Sequence, residues 1–315
     1  MKNKIFRLGL CFCFLQLLCG LHALSAQDEL PADVLKQLNQ YNVIWDTPSL
    51  TGSMESMPLG NGDITANVWI EKGGDLLLYI GKSDSWSEAM RLLKIGRVRI
   101  KLTPNPFTGS SFFSQELNLH KGEISVTAGT KGNEIHIKLW IDANSPVIRV
   151  ETVSDKNISI SCTTELMRPQ PFTLEKGNDP LASSFRGLLD SPVRPSESAD
   201  VLMRKADRIQ WVHRNQSSFF NTIFTYQNVS ELIGKYPDPY LNRTFGASII
   251  GENMFPQNDS TLVTTKAIRK QLISIYPHTA QTTTVEEWDE QLGNLVESLN
   301  RTPLATSYKQ HLQWW

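Results

Sequence analysis

Apolar and polar side chains alternate with a period of two along most of the chain, from residue 64 to about 278. Ile135, Ile137, Leu139 and Ile141 fall on one side, while His136, Lys138, Trp140 and Asp142 fall on the other. That is the spacing of a strand with one buried face. The same rhythm predicts strands over 64–70, 75–80, 97–102, 124–128, 147–153, 158–164, 209–213, 219–226, 247–251, 261–265 and 271–276. Turn formers separate most of them, as at Lys72-Gly73-Gly74, Gly129-Thr130-Lys131-Gly132 and Asp142-Ala143-Asn144. Short strands joined by short turns, with no helical pattern between them, predict a mainly β fold: a large antiparallel two-sheet sandwich. The rhythm lapses between Arg168 and about Ser198, where Pro169, Pro171, Pro180, Pro192 and Pro195 follow no period. This stretch reads as a long loop placed to arch over one sandwich face.

After Tyr276 the period changes. Thr284-Val285-Glu286-Glu287 is a capping box, and Val285, Trp288, Leu292, Leu295, Val296 and Leu299 follow at helical spacing. Thr302-Pro303 opens a second helix with Leu304, Tyr308, His311, Leu312 and Trp315 on one side. The sequence stops there on Trp314-Trp315, with no C-terminal glycine, polar tail or cap. Two terminal tryptophans leave apolar surface without a partner, so the expectation is an N-terminal portion of a longer protein.

The first residues read as an address. Lys2, Lys4 and Arg7 precede an apolar run over 8–21, and Ala23-Leu24-Ser25 offers small residues for cleavage after Ser25. The run is too short to span a bilayer. The expectation is therefore a signal peptide over 1–25, a secreted or periplasmic product, and no membrane association after cleavage. Cleavage also removes Cys11, Cys13 and Cys19 and leaves Cys162 alone, in the apolar phase of an alternating run. A buried core thiol is expected there rather than a nucleophile.

Composition narrows the class without naming a reaction. The 315 residues are 40% hydrophobic and 20% charged, as in a globular protein, and 31 basic residues balance 32 acidic ones. No basic excess exists to neutralise a phosphate backbone, so nucleic acid is not an expected partner. The sequence carries no G-x-S-x-G elbow, H-E-x-x-H pair or phosphate-cradling glycine loop. No catalytic residue, metal site or cofactor is predicted in this chain.

Three places carry chemistry. Gly60-Asn61-Gly62-Asp63 precedes a strand and reads either as a tight turn or as a ligand loop. Asp84-Ser85-Trp86-Ser87-Glu88 sets an indole between two carboxylates. That suits a sugar subsite, or a core tryptophan flanked by surface acids. Trp211-Val212-His213-Arg214-Asn215 gathers aromatic, imidazole, guanidinium and amide groups, which suits polyhydroxyl recognition or a buried network equally. The candidate substrate-binding residues are Asn61, Asp63, Trp86, Trp211, His213 and Arg214.

Pro58-Leu59-Gly60-Asn61-Gly62, then a strand, then Ile80-Gly81-Lys82-Ser83-Asp84-Ser85-Trp86, resembles the opening of family 95 glycoside hydrolases, the α-L-fucosidases and their relatives. With Trp211-Val212-His213-Arg214-Asn215 and Asn242-Arg243-Thr244-Phe245-Gly246 added, the stretch 41–315 looks closer to the domain-of-unknown-function family 5703 of secreted bacterial proteins. Asp63-Ile64-Thr65-Ala66 and Ile80-Gly81-Lys82 depart from the fucosidase pattern, so fucose specificity is not carried over. The resemblance implies a β supersandwich over 26–280, a linker helix over 281–302, and over 303–315 the first helix of an (α/α)6 barrel that would carry the catalytic groups. It implies an accessory domain of an exported carbohydrate-active hydrolase, with carbohydrate and the downstream barrel of the same polypeptide as partners. A self-contained carbohydrate-binding module and a structural domain docking another protein are the alternatives.

Overall fold

The computed structural model describes residues 30–109, 112–173 and 194–315. The expected signal peptide and most of the proline-rich loop lie outside the described residues. The chain divides into two compact units, 1–40 and 41–315. In the first, Ala32–Asn39 form a helix (α1) with no buried residue.

The second unit carries two antiparallel sheets that share one strand. The first sheet runs in the order β1 (Val43–Trp45), β6 (Phe113–Asn118), β7 (Glu123–Ala128), β8 (Ile135–Ile141), β9 (Ile148–Glu165), β17 (Ile268–Gln281), β14 (Arg243–Gly251), β13 (Ile209–Arg214) and β12 (Val201–Arg204). The second runs β2 (Met57–Gly60), β3 (Ile64–Ile70), β4 (Leu76–Trp86), β5 (Leu92–Thr103), then β9 again, β16 (Thr261–Thr264) and β15 (Met254–Asn258). Two short strands, β10 (Phe172–Thr173) and β11 (Ser196–Glu197), pair with each other.

The 18 residues of β9 replace the two separate strands expected over 147–153 and 158–164. Its first half, to Ser154, pairs with β8 and β17, and its second half pairs with β5 and β16. The exposed Asp155-Lys156-Asn157 between the halves looks like a turn in sequence. Those residues are solvated where the strand leaves one sheet for the other, while the backbone stays extended. The inner faces interlock in one core, to which Val68, Leu78, Val98 and Cys162 contribute from one sheet and Ile124, Leu139, Val150 and Ile275 from the other.

Helices cover the outer face of the first sheet. In α3 (Val285–Asn300), Trp288, Leu292 and Val296 pack on Val147, Val212 and Tyr276. Of the other two helices, α4 (Leu304–Trp314) lies against β8, while α2 (Phe220–Tyr226) packs on Ala89 in the turn after β4. Thr284 Oγ1 accepts from the Glu287 N–H at 3.1 Å, as the capping box predicts, but Glu287 reaches back to Thr283 rather than to Thr284. Helix α4 lays Tyr308 and His311 on Trp140, with ring centroids 5.2 and 4.9 Å apart. Trp140, in the polar phase of β8, is consequently buried.

The strand expected over 219–226 is instead α2. Phe219 and Ile223 sit four residues apart and bury with Ala89, so the apolar spacing that looked like alternation serves one helical face. Ser218 Oγ accepts from the Phe220 N–H at 3.0 Å and fixes the helix start.

Candidate functional site

Strands β3, β4 and β5 lie side by side, and their outer surface dips into a cavity of about 220 Å³. Thr65, Asn67, Tyr79, Lys94, Asp63 and Lys82 contribute to its lining. Gly81 lines it as well, opposite Thr65 across the β3–β4 ladder; a Cβ there would meet Thr65 Oγ1 at 2.7 Å. The β4–β5 register shifts between Ile80 and Gly81, a local irregularity of the kind that re-aims the side chains following it. Lys82 Nζ bonds Asp63 Oδ1 at 2.8 Å and Asp84 Oδ1 at 2.9 Å. The lysine side chain is 11% exposed, while the two carboxylates are 43% and 40% exposed. Ser83 Oγ donates to Asp63 at 3.0 Å, and Arg243 Nη1 donates to the Asp84 carbonyl at 3.2 Å. Two open carboxylates therefore share one sheltered ammonium, and Asp63 and Lys82 of this cluster line the pocket. Trp86 closes the same strand, half-buried, with its indole N–H donating to the Ser83 carbonyl at 3.2 Å.

Asn61 holds the turn that presents Asp63. Its Oδ1 accepts from the Asp63 and Ile64 N–H groups at 3.0 and 2.8 Å, and its Nδ2 donates to the Asp142 carbonyl at 2.8 Å. Gly62 has φ +90°, which favours glycine. Of the two readings of this motif, the geometry is that of a tight turn, with both ends of the Asn61 amide bound to backbone.

The third motif lies in the interior. Trp211 is fully buried, its indole N–H donates to the Ile95 carbonyl at 2.9 Å, and its ring fills the space beside Gly96. No ring face is left for stacking on a sugar. His213 is 1% exposed and stacks on Phe245; its Nδ1 lies 3.1 Å from Asp200 Oδ1 and its Nε2 3.2 Å from Glu88 Oε2. Desolvation is the largest influence on its pKa and pulls it down, but Asp200 and Glu88 together outweigh it and hold the imidazole above its ordinary value. Glu88 is held below the usual carboxylate value although burial pushes it up, because His213 and Ser198 favour its charged form. Arg168 ion-pairs with Asp200 at 2.7 Å, and the Ser198 N–H and Oγ both donate to Glu88. Beside them Arg91 and Ser87 bond Glu197 at 3.1 and 2.6 Å. This network, with the β10–β11 pair, ties both ends of the proline-rich segment to the turn after β4.

Arg214 is a clamp: its guanidinium donates to Thr244 Oγ1 at 2.7 Å and to the Thr282 and Thr283 carbonyls at 2.9 and 2.8 Å, joining β13 to the start of α3. The structure thus gathers Asp63 with Lys82 and Asp84, with Trp86 further along the same strand, and places Trp211, His213 and Arg214 in the framework. Lys82 and Arg243 were visible in the quoted motifs, though nothing in their spacing marked them as partners of Asp63 and Asp84. Among the described residues no group of three or more His, Cys, Asp or Glu is placed to hold a metal ion.

Fold and site together define an antiparallel supersandwich with a helical layer on one sheet and a polar pocket on the outer face of the other. Residues 44–315 match the N-terminal part of the domain of unknown function DUF5703, and the chain belongs to that family. No curated protein matches it. Among solved structures it is similar to one described as a kojibiose phosphorylase from the human microbiome, with 10% identity and a TM-score of 0.45. That similarity covers 87% of this chain and 37% of the other.

Proposed function

We propose that this chain is the N-terminal accessory β-sandwich of an exported carbohydrate-active glycoside hydrolase. In this reading it braces an (α/α)6 barrel of the same polypeptide and lends a polar rim to the substrate cleft. The observation that carries the reading is the open Asp63–Lys82–Asp84 cluster, of which Asp63 and Lys82 line the pocket beside Gly81. Sugar hydroxyls donate to carboxylates and accept from an ammonium, and this cluster offers both at one place. The volume, about 220 Å³, suits a single sugar ring rather than a chain. Both carboxylates bond the same Nζ, which occupies the space a glycosidic oxygen would need between an acid and a base, so the cluster is suited to holding a sugar and not to cleaving one. A free-standing module with Trp86 and Trp211 as twin stacking platforms is disfavoured by the burial of Trp211.

The test uses the chain starting at Ala26. Incubated with a range of aryl glycosides it releases no aglycone, and in calorimetry against plant and host glycans its affinity falls about tenfold in Asp63→Asn, the loss of one charge-assisted hydrogen bond. Robust turnover, or glycan binding indifferent to Asp63, overturns the reading.

A further inference from the structure

On the outer face of the first sheet, Arg149 of β9 stands between Trp140 of β8 and Ser274 of β17. It is 4% exposed. Its Nη1 donates to Ser274 Oγ at 2.6 Å and to the Tyr276 hydroxyl at 3.1 Å, and that hydroxyl donates onward to Asn300 Oδ1 at 2.6 Å. Its Nε is buried without a partner, and among the described residues no carboxylate forms an ion pair with it. The acid two residues along the same strand, Glu151, is committed to Lys138 at 3.0 Å and to the Trp140 indole N–H at 3.0 Å. A buried cation lacking a counter-charge is costly even after relaxation. The Tyr276 ring, 5.5 Å from the guanidinium, offsets only part of that cost.

Arg149 is one of the residues lining a cavity of about 280 Å³ where α3 ends and α4 begins. Ser274, Tyr276, Asn300 and Leu304 share the lining, and the exposed Glu252 belongs to it as well. Helix α4 starts at Leu304 behind Pro303, with no side-chain cap on its first turn. The Thr306 and Ser307 N–H groups bond the Pro303 carbonyl, and Leu304 brings the positive end of the helix dipole to the cavity lining. The C-terminal carbonyls of α3 oppose that dipole, so the formal charges decide: a buried Arg149 and an exposed Glu252.

We propose that this cavity is a binding site for the carboxylate group of a small monoanionic ligand. The carboxylate seats on Arg149 and the start of α4, and the hydroxyls of Ser274 and Tyr276 and the Asn300 amide meet the ligand's polar groups. Glu252 disfavours ligands carrying two negative charges. The proposal rests on a different pocket from the carbohydrate reading above and does not depend on it.

Calorimetry on the chain from Ala26, with sodium glucuronate, glucose and inorganic phosphate as probes, tests it. Glucuronate is expected to bind saturably and glucose not to bind. Arg149→Gln weakens glucuronate tenfold or more, the scale of one charge-assisted contact. Glu252→Gln, an exposed change that leaves folding intact, tightens it severalfold and gives a readout even where Arg149→Gln fails to fold. Glucuronate binding no better than glucose, or affinity unmoved by both variants, overturns the site. Phosphate binding more tightly than glucuronate overturns its assignment to a monoanionic carboxylate.

Discussion

His213 and His311 are both buried, the one between two carboxylates and the other between backbone groups. His311 Nδ1 accepts from the Ala143 N–H at 3.2 Å and its Nε2–H donates to the Lys121 carbonyl at 2.8 Å, the pattern of a neutral ring. Burial lowers its pKa and outweighs the raising effects of Lys121, Asp142 and Glu123. Below the ordinary value of 6.5 the unfolded chain takes a proton that folded His311 refuses, so this residue withdraws stability as pH falls. His213 acts with the opposite sign: its contribution is fully present below 6.5 and is lost as pH rises through its raised folded value. Thermal melts from pH 5 to 9 are expected to show the alkaline loss flattened in His213→Gln and the acid loss flattened in His311→Gln; no difference between the variants would refute the assignment. Removing one partner of the buried pair costs more than the pair itself is worth, because the other charge stays behind. Glu88→Ala is therefore expected to lose about 3–5 kcal/mol in urea unfolding. A loss below about 1 kcal/mol, the value of an exposed pair, would mean that the network is solvated. Sequence left His213 and Trp211 open between ligand recognition and a buried network. The groups that decide it, Glu88, Arg168 and Asp200, come from three other stretches of chain, and only the fold brings them together. Asp63 was legible as polar and turn-bound, but its pairing with Lys82 depends on the β3–β4 register.

At the scale of elements, strongly periodic segments were legible almost to their ends, as with β3, β8 and α3. What failed was periodicity shared by two structures. The 219–226 stretch satisfies both a strand and a one-sided helix, and Ser218 with the Ala89 contact selects the helix. The division of β9 failed for a different reason: a solvated Asp155-Lys156-Asn157 has the composition of a turn, and only the pairing partners on either side reveal a strand passing between sheets. The short strands β1, β2, β12 and β15 carried too few alternations to be seen, and β6, as long as β7, was masked by Gln115 in its buried phase. Helix α3 rests on two separable contributions. Its cap, Thr284, supplies one hydrogen bond to an otherwise unpaired N–H, so Thr284→Ala is expected to cost about 1 kcal/mol. Its anchor, Trp288, is fully buried on the outer face of the first sheet, and Trp288→Ala is expected to cost about 3–5 kcal/mol. Equal costs in chemical denaturation would mean that the helix is held by its end rather than by its apolar face.

Over the whole molecule, the two sheets are joined through β9, whose second half is flanked by β5 on one side and β16 on the other. Cys162 lies in that half, opposite both Ile100 and Leu262, fully buried, and burial pushes its thiol up to about 12. A thiol reagent attacks the thiolate, so the native residue is doubly protected, by access and by ionisation. Reaching it requires β9 to separate from a neighbour, and because the same strand also runs into the first sheet, that separation opens the common core. Cys162 is the one cysteine of the chain from Ala26, so labelling reads this event alone. In native buffer near pH 8, labelling is expected to proceed only through global unfolding, with a dependence on urea matching the slope of the equilibrium unfolding curve. A labelling rate insensitive to urea would mean that the second sheet opens locally around β16. The shared strand would then be a covalent connection between two independently stable sheets, not the element that makes them fold as one.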